Sequence, residues 1–485
     1  MIRSHRLSLI ASSVALTLGL QSHAFADSLT FDAADLVVSA EGEGISGTTY
    51  LDNQAAPITL YQFAVNGTSS VTAAGAMMLP ETSSGANSVI SGEYGSSSEG
   101  SLQLSGNGQY LTIMGYGVNA AAFNANPTAY GTATTGSTTA TALGQSGSLV
   151  NAGYITVPRV VALIGANGSV DTSTALTGVF NGNNPRSVYT YNGTSFYVSG
   201  QGTGSDATGG VFYALKGATT ATAITGLDTT GGTAAQDTRM VTVYNGQLYV
   251  SVDTKGGSNN APDYLGTLGS AGSLPTSLVN NGAGPTALSG FATKGAVTIS
   301  SATTNGVNAV GKSVNLSPEN YFFANASTLY IADSGSPKNN SATSGLGDGG
   351  LQKWVNSKAD GTGTWTLEYT VAAGLNLVAN SASAGTTGLL GLTGKVVGNN
   401  VELFATNYTI GDTDPTYLYG VTDALNGTSD TGESFTMLEA APADTNFKGV
   451  SFAPVPLPAG LPMLIGGLAV LGLFFVRRPT GARAV

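Results

Sequence analysis

The stretch "RSVYTYNGTSFYVSG" at 186–200 decides the fold, because it returns as "RMVTVYNGQLYVSV" at 239–252. Both copies begin with Arg, alternate apolar and polar residues as far as Tyr-Asn-Gly, and end in a strand that contains Tyr-Val-Ser. Asn and Gly both tolerate the positive φ angles of a tight hairpin turn. Each copy therefore predicts two antiparallel strands, joined at Asn192-Gly193 in the first and at Asn245-Gly246 in the second.

Weaker copies follow at 319–333 and at 394–407, the latter with its turn at Asn399-Asn400. Further strand patterns trail the copies at 209–217, 349–356, 364–371, 416–423 and 434–440. Earlier segments that fit the same pattern lie at 36–42, 58–67 and 101–117. The repeat is thus a unit of about four strands, which is the unit of a β-propeller.

The sequence predicts an all-β fold, a β-propeller of about six to seven four-stranded blades, because radial packing buries both faces of each unit. The segment 446–454 predicts a closing strand that returns to the first blade. A β-helix or stacked β-sandwiches remain the alternative, since long Thr/Gly/Ala-rich stretches at 120–150, 218–236 and 270–290 interrupt the repeat.

The N-terminus has the layout of a cleavable secretory signal. Arg3 and Arg6 precede an uncharged apolar stretch at 7–20. Small residues at Ala24 and Ala26 then precede Asp27. We expect a signal helix at 1–26 that is removed between Ala26 and Asp27 by signal peptidase after entry into the secretion machinery.

The C-terminus carries an uncharged apolar run at 461–476, followed by Arg477, Arg478 and Arg483. As a helix the run reaches about 24 Å, somewhat less than a hydrocarbon core of about 30 Å. Cations after a span favour a cytoplasmic end. The sequence predicts a marginal transmembrane helix at 461–476, a basic tail at 477–485, and a body at 27–454 held outside the cytoplasmic membrane.

The motif before the run is Val455-Pro456-Leu457-Pro458-Ala459, followed by Gly460. Motif, hydrophobic helix and Arg cluster together resemble the PEP-CTERM sorting signals, in their VPLPA variant. The resemblance implies a transient inner-membrane anchor, recognition by the membrane protease exosortase, and delivery to the cell surface or the extracellular matrix, often beside exopolysaccharide. A permanent tail anchor is the alternative. The body also resembles uncharacterised bacterial secreted propeller proteins, which brings no known activity.

Composition excludes several kinds of chemistry. The two His residues, His5 and His23, lie in the predicted signal and the chain has no Cys, so the mature body lacks His-based and Cys-based catalysis, zinc and haem sites, and disulfides. Without the five Arg of its two ends the body has a net charge of −16. A body of this charge does not bind nucleic acid by counterion release.

A few polar residues are candidates for binding. Asp412 with Asp414, and Asp333 with Asp348, could supply oxygen ligands to Ca²⁺, although ordinary solvated loop acids explain them as well. No other cofactor is expected. Arg186 and Arg239 occupy equal places in two repeats. They would line the central channel and bind an acidic sugar, or else pair with a carboxylate of the neighbouring blade.

Three functions remain open from the sequence. The first is a non-enzymatic surface or matrix protein that binds polysaccharide or protein. The second is a carbohydrate-active hydrolase or lyase, which predicts two close acids at the channel mouth, at least one with a raised pKa. The third is a structural component of a surface layer, which the low charge and high Thr/Gly content would suit.

Overall fold

The computed structural model describes residues 29–44, 49–132, 141–203, 206–225, 237–253, 263–279, 284–291, 296–298, 313–335, 349–379 and 382–456. For 296–298 and 313–315 it describes the backbone alone. The predicted signal helix at 1–26 and the predicted hydrophobic helix at 461–476 lie outside these ranges. Within them, no helix is both long enough and apolar enough to span a bilayer.

The described residues form an almost entirely β-structure. The first strands are β1 (Leu36–Glu41), β2 (Ala55–Asn66), β3 (Ser70–Met78), β4 (Ser91–Glu93), β5 (Gln103–Leu104), β6 (Tyr110–Tyr116), β7 (Arg159–Gly165) and β8 (Val170–Leu176). A short helix, α1 (Ala120–Ala125), and two single 3₁₀ turns, Pro127–Tyr130 and Leu143–Gln145, lie between β6 and β7.

Four sheets of four antiparallel strands are separate blades. Their strands are β9 (Pro185–Tyr189), β10 (Ser195–Gly200), β11 (Gly210–Leu215) and β12 (Thr222–Ala223); β13 (Thr238–Tyr244), β14 (Gln247–Asp253), β15 (Asp263–Leu268) and β16 (Thr286–Ala287); β19 (Pro318–Asn325), β20 (Thr328–Asp333), β21 (Gly350–Asn356) and β22 (Trp365–Val371); β23 (Thr386–Val397), β24 (Asn400–Thr409), β25 (Tyr417–Ala424) and β26 (Thr436–Ala440). A two-stranded sheet joins β17 (Ala296–Thr298) and β18 (Ser313–Asn315).

The predicted number of six to seven blades is wrong. The strands assigned to further blades form one nine-stranded sheet, which consists of β1 to β8 and the last strand, β27 (Asn446–Phe452). Strand β2 causes this fusion because it is 12 residues long. Its first residues, 55–57, pair with β4, while the rest pairs with β1 on one side and β3 on the other. One continuous strand therefore joins two repeat units.

The predicted closing strand is confirmed. β27 pairs antiparallel with β1, from Leu36 opposite Phe452 to Glu41 opposite Asn446. The sheets then follow one another around a ring: β6 contacts β9, β9 contacts β13, β13 contacts β19, β19 contacts β23, and β23 contacts β27. The arrangement is a propeller, and not the β-helix or stacked sandwich that the sequence left open.

The hydrophobic core lies between neighbouring sheets. Between the β13–β16 and β19–β22 sheets, Trp354 is 1% exposed and its ring stacks on Phe291, with 4.0 Å between the centroids. Similar clusters of buried side chains fill the other gaps of the ring. Burial of apolar surface contributes roughly 25 cal/mol per Å², so the packing of sheet on sheet supplies most of the stabilisation.

One of the predicted hairpin turns has the expected position and length, and two others differ from the prediction. Asn245 (φ 47°) and Gly246 (φ 73°) make the expected two-residue turn between β13 and β14. Between β9 and β10 the connection is the longer loop 190–194, because the Thr190 hydroxyl accepts a hydrogen bond from Gly193 N (2.9 Å) and donates one to Ser195 O (2.6 Å). Val397 pairs with Asn400, so the fourth turn is at 398–399, one residue before the predicted Asn399-Asn400.

Candidate functional site: the central channel

The innermost strands of the ring enclose a narrow cavity on its axis, which we call the waist. Six residues define it, one from each neighbouring segment: Glu99, Arg186, Arg239, Glu319, Gly391 and Lys448. The space open to water is about 20 Å³, enough for a single water molecule. The waist is therefore a cluster of buried charges rather than an open passage.

Arg186, on β9, is 4% exposed and forms an ion pair with Asp237, the residue just before β13 in the next sheet. Its Nη2 also donates to Gln201 Oε1 at 2.8 Å. Burial lowers the pKa of Arg186, and the neighbouring cation of Arg239 lowers it further. The guanidinium is thus compensated by a carboxylate from the adjacent blade.

Arg239, on β13, repeats this arrangement one blade further on. Its Nη1 lies 3.2 Å from Glu319 Oε2 on β19, and its Nη2 lies 3.6 Å from Asp253 Oδ2 on its own sheet. Burial acts to lower the pKa of Arg239, but the carboxylates of Glu319 and Asp253 outweigh it, so the pKa is raised. Burial raises the pKa of Glu319 to about 7, even though Arg239 opposes the shift.

Both arginines therefore line the channel, and both pair with a carboxylate of the next blade, which is the second of the two arrangements expected from the sequence. Binding of an acidic sugar by Arg186 and Arg239 stays a prediction. Their charges are already matched within the protein, so an anionic ligand would have to displace a buried carboxylate.

A second group of buried charges continues the waist into the nine-stranded sheet. Lys448 Nζ, on β27, lies 3.3 Å from Glu41 Oε2 on β1 and donates to the backbone oxygen of Ser96. Glu93 accepts a hydrogen bond from Gly144 N. Burial raises the pKa of both Glu41 and Glu93 to about 8, opposed in each case by Lys448.

Glu99 joins the two groups, because it lines the waist and also lies in the tightly packed region around Glu41 and Lys448. Its Oε1 accepts a hydrogen bond from Asn184 Nδ2 at 3.1 Å. Its Oε2 is buried and accepts none from the described residues. Burial and then the nearby Glu41 raise the pKa of Glu99 to about 8.

Sequence reasoning missed this second group. The contacts that create it join distant residues: Ser39 Oγ, for example, accepts a hydrogen bond from Gly449 N, 410 positions away. One signal was available, since only 9% of the residues are charged and Glu93 and Glu99 stand alone in the stretch "SGEYGSSSEG". An isolated acid among small residues in such a chain is a reasonable candidate for a buried polar site.

Toward one face of the ring the channel widens into a funnel with about 260 Å³ open to water. The residues that line the funnel include Leu104, Thr242, Tyr244, Phe322, Thr393 and Phe452. The Tyr244 ring stacks on Phe323, with centroids 4.5 Å apart and planes 10° from parallel. Among the described residues that line the funnel, none is acidic.

The proposed calcium ligands have other roles in the described part of the chain. Asp414 Oδ2 accepts hydrogen bonds from Gly385 N and Gly411 N, each at 2.8 Å. Asp333 Oδ2 accepts from Ser317 N and Gln352 Nε2, also at 2.8 Å. Asp348 lies outside the described ranges. Within those ranges no three acidic, His or Cys side chains are placed to hold a metal ion, so nothing there supports calcium at Asp412 and Asp414.

The structure describes only the first two residues of the predicted sorting motif. Val455 and Pro456 are described and exposed, and Val455 N donates to Gly108 O at 2.7 Å. The predicted cleavage residues, the rest of the motif and the basic tail lie outside the described ranges: Ala24, Ala26, Asp27, Leu457, Pro458, Ala459, Gly460, Arg477, Arg478 and Arg483.

No family model and no curated protein matches the chain. Among solved structures it is similar to a Trypanosoma rangeli sialidase in complex with the inhibitor DANA, with 12% identity, a TM-score of 0.32, and coverage of 94% of this chain and 58% of the sialidase. The chain thus spans little more than half the length of that relative.

It is also similar to a polysaccharide lyase of family PL25, an ulvan lyase, bound to -[GlcA(1-4)Rha3S]-, with 9% identity, a TM-score of 0.32, and coverage of 85% of this chain and 87% of the lyase. The same lyase without that ligand gives 8% identity and a TM-score of 0.30. At these scores the similarities carry no argument about activity.

Proposed function

We propose that this protein is an exported surface or matrix protein that binds a neutral polysaccharide in its funnel and does not cleave it. The proposed location is based on the predicted signal and sorting segments of the sequence. The observation that carries the binding role is the separation, along one channel, of an open aromatic funnel from a closed waist of buried, paired charges.

The funnel has the features of a binding site. Ligand pockets have walls that are mostly apolar and aromatic, with a few polar groups that fix orientation. The funnel lining includes the aromatic Tyr244 and Phe452 beside Thr242 and Thr393, which carry hydroxyl groups. Its open volume of about 260 Å³ lies near the lower end for small-molecule pockets, which fits the end of a polymer or a short segment of it.

The charge of the protein favours a neutral saccharide over an acidic one. The mature body carries a net charge of −16, which repels acidic polymers at a distance. The waist cations Arg186 and Arg239 are paired with Asp237 and Glu319. Lys395, near Phe452 of the funnel, is paired with Glu402. A neutral saccharide meets neither obstacle, so it is favoured over an acidic one.

The carbohydrate-active alternative has one observation in its favour. Glu99 and Glu319 line the same cavity, and burial raises the pKa of both, to about 8 and about 7. Most glycoside hydrolases use two carboxyl groups that flank the scissile bond. The waist has space for one water molecule, so this function would require the inner strands to separate.

The test is binding of the purified full chain in detergent to dextran and to alginate, a neutral and an acidic polysaccharide, measured by calorimetry. We expect binding to dextran that is weakened at least tenfold by Tyr244→Ala and unchanged by Tyr191→Ala, a matched change at an exposed tyrosine outside the funnel. Equal effects of the two changes, or no binding to either polymer, would refute the proposal.

The same preparations separate the alternatives. Release of new sugar ends, abolished by both Glu99→Gln and Glu319→Gln, would establish the enzyme. Concentration-dependent assembly without saccharide binding, seen by sedimentation velocity, would favour the structural surface-layer component.

A further inference from the structure

All inner strands of the ring run in the same direction along the channel. β9, β13, β19 and β27 each place a residue in the waist near their start, and β23 places Gly391 there near its middle. Four of the five then reach the funnel as they continue. The hairpin turns that follow β9, β13, β19 and β23 must therefore lie on the face where the funnel opens, which we call the funnel face.

The funnel face presents apolar side chains to solvent. Tyr191, in the loop after β9, is 63% exposed, and Val396 and Val397, at the end of β23, are 43% and 48% exposed. Val455 adds a fourth at 50%. Close to the valines, Lys395 Nζ lies 5.3 Å from the centroid of the Phe452 ring, at the rim of the funnel.

The described chain also ends on this face. Val455 N donates to Gly108 O, in the turn between β5 and β6. That turn lies against the loop after β9, where Asn107 N donates to Tyr191 O at 2.9 Å. The apolar tail therefore leaves the ring beside the mouth of the funnel.

The distance from there to the predicted membrane span is short. The run 461–476 begins five residues after Pro456, and five residues extend over at most about 18 Å. A span that starts so close cannot hold the ring far from the bilayer. It also fixes which face is nearest, because the opposite face lies across the full depth of the sheets.

We propose that the funnel face rests on the lipid bilayer while the tail is inserted, so that the funnel opens to the surrounding medium only after the tail is released. This inference rests on the membrane tail of the proposed function, and it adds a control on access to the same funnel. The exposed apolar side chains suit the interfacial region of a bilayer.

The absence of Cys from the chain allows single-site labelling. Val397→Cys places a fluorophore on the funnel face. Thr413→Cys is the matched control: it is exposed in the loop after β24, at the end of the sheet where Thr386 pairs with Thr409. The full chain carrying each label is reconstituted into vesicles of phosphatidylcholine and phosphatidylglycerol that contain a nitroxide-labelled lipid head group.

We expect the Val397 label to be quenched at least threefold more strongly than the Thr413 label. Equal quenching of the two sites in chain that floats with the vesicles would overturn the inference and leave the membrane tail intact. Failure of the chain to float with the vesicles would refute the tail of the proposed function itself.

Access to the funnel gives a second readout. Thr393→Cys, in the funnel wall, is treated with a maleimide attached to a bulky polymer. We expect modification at least tenfold slower in vesicles than in detergent micelles, while Thr413→Cys is modified at the same rate in both. Equal rates at Thr393 in both settings would overturn the inference.

Discussion

Arg239 of β13 and Glu319 of β19 lie 3.2 Å apart across the boundary between two sheets that share no backbone ladder. Arg186 and Asp237 make the corresponding link one blade earlier. Neighbouring blades are therefore joined near the axis by ion pairs and further out by apolar packing. The two kinds of link respond differently to mutation and to pH.

Arg239→Met tests the buried link. It leaves Glu319 and Asp253 buried without their nearest cation, which typically costs about 3–5 kcal/mol. Lys216→Met is the control, because Lys216 and Asp171 form a 2.7 Å pair that is 43% and 34% exposed, and exposed pairs contribute less than about 1 kcal/mol. Urea denaturation gives both free energies of unfolding. Equal losses would show that the axial pair is not part of what holds the blades together.

The buried glutamates predict that the protein loses stability as the pH rises. Burial raises the pKa of Glu41, Glu93 and Glu99 to about 8 from an unfolded value of 4.5. The folded state thus retains protons that the unfolded state releases, so their stabilisation is complete below pH 4.5 and is lost as the pH rises to about 8. Each group lowers the free energy of unfolding by up to about 1.4 kcal/mol per pH unit in this window.

Glu99→Gln checks the assignment of this pH dependence. The amide oxygen can still accept from Asn184, so we expect a flatter curve of unfolding temperature against pH between 5 and 8, and a higher unfolding temperature at about pH 8. Glu368→Gln, which changes a partly exposed acid on β22, is the matched control. A wild-type curve that is flat over this range would contradict the prediction.

Lys353 anchors a second buried network, between the β19–β22 and β23–β26 sheets. Its Nζ lies 2.8 Å from Asp423 Oδ2 and donates to Tyr369 OH at 2.9 Å, and Lys353 and Asp423 are at most 1% exposed. Lys353→Met leaves the carboxylate buried without a cation, and we expect a loss of about 3–5 kcal/mol. Lys395→Met, which removes a 41% exposed lysine from its pair with the 19% exposed Glu402, should cost less, about 1 kcal/mol. Thermal unfolding of the two variants, measured in parallel, gives the two losses of stability. Equal losses would contradict the prediction.

Removal of the closing strand tests the ring as a whole. A chain that stops after residue 445 lacks β27, which pairs with β1 and brings Lys448 to Glu41. We expect it to lose cooperative unfolding and resistance to protease. A chain that stops after residue 456 keeps every described contact and should unfold as the full chain does. Cooperative unfolding of the shorter chain would show that the ring does not depend on closure.

Local pattern predicted the elements well. The Tyr-Asn-Gly hairpin at 245–246 and the closing strand at 446–454 were both visible, because alternation and turn residues are encoded within a few positions. The fused sheet was not visible. Whether β2 pairs with one unit or with two depends on its register along 12 residues, and nothing local fixes that register.

The candidate site could be predicted only in part. The equal places of Arg186 and Arg239 in two repeats pointed to the axis, since equivalent positions of a repeat recur at equal radius. Glu41, Glu93 and Glu99 have no such marker. Their partners come from segments far apart in sequence, such as Glu41 with Lys448, and their burial results from assembly of the whole ring.

The pairing of β1 with β27 has a consequence for biogenesis. On the proposed export route the chain crosses the membrane from its N-terminus, and the strand that completes the ring comes last. β27 ends at Phe452, only nine positions before the apolar run at 461–476. Until almost the whole chain has emerged, β1 exposes an unpaired edge that can join other chains. A chain that stalls before β27 has emerged is therefore exposed to pairing with a neighbouring chain along β1.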